Sequence, residues 1–189
     1  MAIRASTETK LLDAADELFF SHGISATPID AVLARAGVSA ATLYRGFASK
    51  EALVAAALER RQRAWLEAWD QAVGRAETPR AKLLAVFDAL DEFRSRPDAS
   101  RWCAFLGSAA EYADPPAEIG QAVAADSATL RDRLLMLAEP VVGQRASALA
   151  EALVLIVSGD LAMRLRDPGH QTTIARSIAM ALIEQQPRA

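Results

Sequence analysis

Apolar positions recur at helical spacing along almost the whole chain, and alternating runs of the strand kind are scarce. Leu11, Ala15, Leu18 and Phe19 form one stripe, on a first helix that starts at Ser6 or Thr7 and stops at His22-Gly23. Ile29, Val32, Leu33 and Ala36 form the next. Thr27 is placed to cap that second helix, Pro28 suits its first position, and Asp30 completes a Thr-x-x-Asp capping pattern. Gly37 supplies the left-handed stop and Ser39 the cap of a third helix, on which Leu43 and Phe47, four apart, share the inward face. Two short helices joined by a tight turn, behind a longer first one, predict a helix-turn-helix unit.

Ser49 caps a long fourth helix, expected to run to about Val73. Breakers then divide the chain at Thr78-Pro79, Ser95-Arg96-Pro97, Asp114-Pro115-Pro116, Pro140-Val141-Val142-Gly143 and Asp167-Pro168-Gly169. The expectation is an all-α protein of about nine helices. Residues 1–53 are expected to make a three-helix head with the helix-turn-helix unit, and residues 54–189 a helical body.

The penultimate helix carries two apolar stripes, Leu149, Leu153 and Ile156 on one side and Val154, Val157, Leu161 and Leu165 on another. In the last helix Ile174, Ile178 and Leu182 align, with Ala175, Ala179 and Ile183 beside them. A helix apolar on two sides covers two surfaces, and the second is either a neighbouring helix or another chain. The body also holds seven aromatics, Trp65, Trp69, Phe87, Phe93, Trp102, Phe105 and Tyr112, which read as core or as the wall of a pocket.

Ala40, Ala41, Tyr44 and Arg45 fall outward on the third helix, with Thr42 at its margin. Small side chains admit close approach to base edges, hydroxyls bond phosphate oxygens, and an arginine pairs with guanine or phosphate, so this face suits a major groove. Charge qualifies the picture. The formal net charge is -3 and the pI about 5.5, yet residues 1–63 hold eight basic against seven acidic side chains. A weakly charged head predicts modest affinity for one protomer and reliance on pairing.

Arg60, Arg61 and Arg63 lie two to three turns beyond Lys50 and read as a solvated face. The single cysteine, Cys103, excludes an internal disulfide and reads as a small apolar residue or a redox sensor. Neither a signal core nor an apolar run of membrane-spanning length is expected, which points to a soluble, cytoplasmic protein.

Leu11-Leu12-Asp13-Ala14-Ala15, Leu18-Phe19, Gly23, Ala36-Gly37-Val38-Ser39, Thr42-Leu43-Tyr44-Arg45 with Phe47, and Ser49-Lys50-Glu51-Ala52-Leu53 occur in that order. Together, residues 7–53 resemble the DNA-binding domain of TetR-type transcriptional regulators. The chain departs from that pattern at Gly46, where such regulators usually carry a larger side chain, so one possible phosphate contact is absent.

The resemblance implies a homodimeric repressor on a palindromic operator, released by a small apolar or aromatic effector. Ala40, Ala41 and Arg45 would then face bases, while Thr27, Ser39, Thr42, Tyr44 and Lys50 would hold the backbone. It places an effector cavity among helices four to seven, where the seven aromatics lie and where Arg101, Glu111 and Asp126 could add polar contacts. It also pairs the last two helices of each protomer in a four-helix interface, with Val154, Val157, Leu161, Leu165, Ile174, Ile178 and Leu182 in contact.

An alternative is a helical protein-interaction module with a weakened DNA-binding head. A small helical enzyme is the other, but paired His/Cys metal spacing, a Gly-rich phosphate loop and a nucleophile elbow are all missing, and no metal or cofactor is expected.

Overall fold

The computed structural model describes residues 3–96, 103–167 and 169–185. Among these lie nine α-helices and no strand: α1 (Ala5–His22), α2 (Ile29–Ala36), α3 (Ala40–Gly46), α4 (Lys50–Arg75), α5 (Pro79–Arg94), α6 (Ala104–Glu111), α7 (Ala117–Val142), α8 (Ala146–Arg166) and α9 (Thr173–Glu184). A 3-10 turn, Gly143–Arg145, joins α7 to α8.

The caps carry most of this segmentation. Ser39 Oγ accepts the Thr42 N–H at 3.3 Å, Ser49 Oγ the Ala52 N–H at 3.0 Å, and Thr78 Oγ1 the Ala81 N–H at 3.1 Å. Each satisfies a donor that the first turn of a helix leaves open. Gly37 ends α2 in the left-handed conformation, at φ 67°.

Two expected boundaries move. Thr27 does not cap α2; Pro28 occupies that position without a side-chain bond, and the helix proper opens at Ile29. Pro140 does not end α7, which continues to Val142 before Gly143 turns at φ 57°. A proline in a last turn forfeits one backbone bond, where the chain is leaving the helix anyway.

The chain forms two compact units that interleave in sequence. The first comprises Met1–Gln62 and Ser100–Ala125, the second Arg63–Ala99 and Asp126–Ala189. The expected DNA-binding segment, 1–53, lies within the first. Its core joins Leu11, Ala15, Phe19 and Phe20 of α1, Val32 of α2, Leu43 of α3 and Leu53, Val54 and Leu58 of α4 with Phe105 of α6 and Ile119 of α7. Leu43 is wholly buried, so α3 is anchored by the side opposite its polar face.

The run Arg60-Arg61 is not a solvated face. Arg60 pairs with Asp13 at 2.6 Å, and Arg61 is buried against Asp16 at 3.0 Å with its guanidinium over the Phe20 ring.

The second unit packs Leu83, Val86, Phe87 and Leu90 of α5 with Leu134 of α7, Leu149, Leu153 and Val157 of α8 and Ala175, Ala179 and Ile183 of α9. Asp160, buried on α8, is met by Arg164 at 3.0 Å and His170 Nε2 at 2.8 Å. This pairing is how an acidic residue is held inside so apolar a helix. One stretch within Ala117–Arg166 does reach the length and hydropathy of a membrane span, at a mean hydropathy of 1.7 over 18 residues, contrary to expectation. A third of that stretch is buried, and Leu149, Leu153 and Val157 of α8 lie in the second unit's core.

Candidate nucleic-acid interface

The outward face of α3 forms as its spacing predicts. Ala40, Ala41, Tyr44 and Arg45 are exposed, Tyr44 by 52%. Ser39 Oγ and Thr42 Oγ1 lie 3.0 Å apart, and Arg45 Nη2 donates to Thr42 Oγ1 at 3.1 Å. Cap, margin and guanidinium therefore form one hydrogen-bonded row along the helix, which limits the rotamers of Arg45.

The charges around this row are unequal in their commitments. Arg35 is paired with Glu17 at 2.6 Å, and Arg60 and Arg61 with Asp13 and Asp16. Arg45 has no carboxylate partner among the described residues. It can exchange a neutral hydroxyl for a phosphate or a guanine edge without breaking an ion pair.

Two of the expected backbone contacts are engaged elsewhere. Thr27 is buried, and its hydroxyl donates inward to the carbonyls of Gly23 at 2.7 Å and Leu18 at 3.3 Å, which removes it from the contact surface. Lys50 Nζ donates to the carbonyls of Ile24 at 2.6 Å and Thr27 at 2.7 Å and lies 5.6 Å from the Phe19 ring centre. An ammonium has three donors, so one remains for a phosphate. Both side chains are drawn in by carbonyls at the end of α1 and in the turn that follows it.

Gly46 has a local explanation. A Cβ there would stand 2.3 Å from Ile3 Cδ1, so the missing side chain lets the N-terminal arm lie against the end of α3. Arg4, the N-cap of α1, follows directly.

The aromatics separate into groups. Trp65 meets Trp69 at 5.6 Å between ring centres and Phe93 edge-on at 5.7 Å, and Arg133 lies 4.6 Å over Trp69. Phe87 is in the same core. Phe105 and Tyr112 belong to the core of the first unit, and Trp102 and Arg101 fall outside the described residues. Of the proposed polar contacts, Asp126 is half-buried and desolvation raises its carboxyl from 3.8 to about 6. Glu111 instead bonds the turn after α1, a role for which its own neighbourhood in sequence holds no signal. Cys103 is partly buried at the N-cap position of α6.

On α8 and α9 the exposed apolar set differs from the expected one. Val157 is 1% exposed and belongs to the protomer's own core, while Val154, Leu161 and Leu182 are half-buried against it. Leu165, Ile174 and Ile178 are exposed as expected, and Leu155 (74%), Met163 and Met180 join them. The helical stripe is rotated by about one residue from the one read in the sequence, because α8 is apolar nearly all round.

Residues 11–57 match the family described as bacterial regulatory proteins, tetR family. A search of curated proteins finds no match. Among solved structures, a TetR-family transcriptional regulator from Streptomyces coelicolor superposes with a TM-score of 0.88 at 27% identity, over 96% of this chain and 90% of that one. A putative TetR transcriptional regulator from Streptomyces avermitilis (TM-score 0.82, 24% identity, 97% and 99% covered) and a TetR transcriptional regulator from Chloroflexus aurantiacus (0.80, 22%, 96% of each) share the fold. The head's sequence thus matches the tetR family over residues 11–57, and the chain as a whole is similar in fold to TetR-family transcriptional regulators.

Proposed function

We propose that the chain is an effector-responsive repressor that binds a palindromic operator in the cytoplasm as a homodimer. The observation that carries the DNA-binding part is the face of α3: Ala40 and Ala41 leave room for base edges, Arg45 is paired with no carboxylate among the described residues, and Ser39, Thr42 and Tyr44 offer hydroxyls to phosphates. Lys50 adds its remaining donor at the start of α4, where the helix end favours an anion.

One such helix spans too short a stretch of DNA to specify a site, and two-fold partners reading half-sites one turn apart remedy this. The apolar side chains left uncovered on α8 and α9, Leu155, Leu165, Ile174 and Ile178, support that pairing. A small apolar or aromatic effector would find its aromatic wall at the half-buried Trp65, beside Phe93 and at the margin of the core that holds Trp69. Effector binding would favour a spacing of the two reading helices other than the roughly 34–36 Å of one duplex turn. DNA must then weaken effector binding by the same factor.

Selection of bound duplexes from a random pool, at low salt with purified protein, tests this reading. A recovered palindrome, bound with affinity that falls steeply as salt rises, is the expected result. A folded protein that enriches no sequence, or binds without salt dependence, overturns it in favour of an interaction module.

A further inference from the structure

The turn between α1 and α2 is held from two directions. Gly23 ends α1 at φ 95°, with its N–H on Phe19 O at 2.9 Å. The next two amides then point at one carboxylate: Ile24 N–H donates to Glu111 Oε1 at 2.9 Å and Ser25 N–H to Glu111 Oε2 at 2.7 Å. Lys50 Nζ takes the opposite polarity of the same turn, the carbonyls of Ile24 and Thr27. Thr27 Oγ1 closes the loop internally on Gly23 O.

Two consecutive amides on both oxygens of one carboxylate make a directional, charge-assisted clamp. Glycine at position 23 suits it twice over. The positive φ disfavours any side chain, and a Cβ would come within 3.3 Å of Glu111 Oε1. The clamp also joins segments far apart in the chain, since Glu111 is the last residue of α6 and lies more than 80 residues beyond the turn.

We propose that Glu111 is a positioning residue for DNA binding: its carboxylate sets the α1–α2 turn, and so presents α2 and α3 in the orientation that reads DNA. The inference rests on the reading of α3 as the DNA-contacting helix. Glu111 itself touches no DNA. Anything that displaces the end of α6 acts on the head through these two hydrogen bonds.

Simple electrostatics predicts the opposite outcome, which makes the test sharp. Removing a negative charge from a DNA-binding head raises its attraction for phosphate. A lost clamp lowers affinity instead. The full-length chain and its Glu111→Ala and Glu111→Gln variants are compared on the selected duplex, with hydrogen exchange followed at the Ile24 and Ser25 amides.

Glu111→Ala is expected to bind about tenfold more weakly, a coupling of ordinary size. Its salt slope should be unchanged, and exchange should be faster at those two amides while the α1 core stays protected. Glu111→Gln, which keeps a carbonyl acceptor, is expected to fall between Ala and wild type and to guard against a folding defect in the alanine variant. Binding by Glu111→Ala equal to or tighter than wild type, or unchanged protection of Ile24 and Ser25, overturns the inference alone. Wild-type protein that binds no duplex overturns the DNA-binding reading and this inference with it.

Discussion

Ile178→Glu is the substitution that separates assembly from folding most cleanly. Ile178 is 53% exposed in the protomer, on the face of α9 away from Ala175, Ala179 and Ile183, which are buried. A glutamate there therefore costs the protomer little. Full burial of an isoleucine is worth about 2 kcal/mol, so covering the exposed half of Ile178 in a dimer is worth roughly 1 kcal/mol. Two-fold symmetry places the substitution on both sides of the interface, which doubles the loss to about 2 kcal/mol. Desolvating two carboxylates adds to this, at several kcal/mol per ion when no partner is supplied.

The dimer should thus weaken at least about 30-fold, and by far more where the glutamates are fully covered. Sedimentation velocity across a protein dilution series reads the shift, with far-ultraviolet circular dichroism and thermal melting to show that each protomer remains helical. Operator affinity should fall in parallel. A well-folded variant that stays dimeric at the wild-type concentration would refute the interface on α8 and α9. Leu161 or Val157 would be poorer choices, because their side chains also pack in the protomer's own core and a folding defect would mimic dissociation.

Three further outcomes test other parts of the structure. Tyr44→Phe removes an exposed hydroxyl from each reading helix and should weaken binding roughly tenfold, by similar factors on specific and unrelated duplexes; a loss confined to the specific site would make Tyr44 a base reader instead. Burial lifts the Asp126 carboxyl from 3.8 to about 6, so the folded state holds a proton that the unfolded chain has released. Stability from this group is thus greatest below about pH 4 and falls as pH rises toward about 6. Asp126→Asn should stabilise by about 1–3 kcal/mol at pH 8 and by little at pH 3 in denaturant titrations, and equal effects at the two would count against burial as the cause. Arg61→Met takes the buried guanidinium away from the Asp16 carboxylate and should cost about 3 kcal/mol, most of it recovered by adding Asp16→Asn. If the double variant is no more stable than the single one, the ion pair is not what holds α1 to α4.

Sequence by itself was enough for the helices and for the exposed face of α3. Each helix is a local object: the spacing of Val32, Ala36 and Leu43 sets its buried side, and Ser39, Ser49 and Thr78 cap amides three residues away. An ordered set of such local signals over residues 7–53 also sufficed for the family resemblance, which the match over residues 11–57 repeats. What sequence could not settle was the partner of each polar group, because a side chain chooses among acceptors that the fold brings near from anywhere in the chain.

Thr27 had the form of a cap and a phosphate ligand, yet the carbonyls at the end of α1 took its hydroxyl. Lys50 was drawn to the same turn, and Arg61 left solvent for Asp16. On α8, which is apolar nearly all round, periodicity gave two stripes and left their partners open, and the resemblance assigned the one with Val157 to a second chain; packing in the second unit's core took Val157 in and left Leu155 exposed. Glu111 is the extreme case. Nothing within ten residues of it marks its role, since the two amides it holds belong to a turn that only tertiary folding brings within 3 Å.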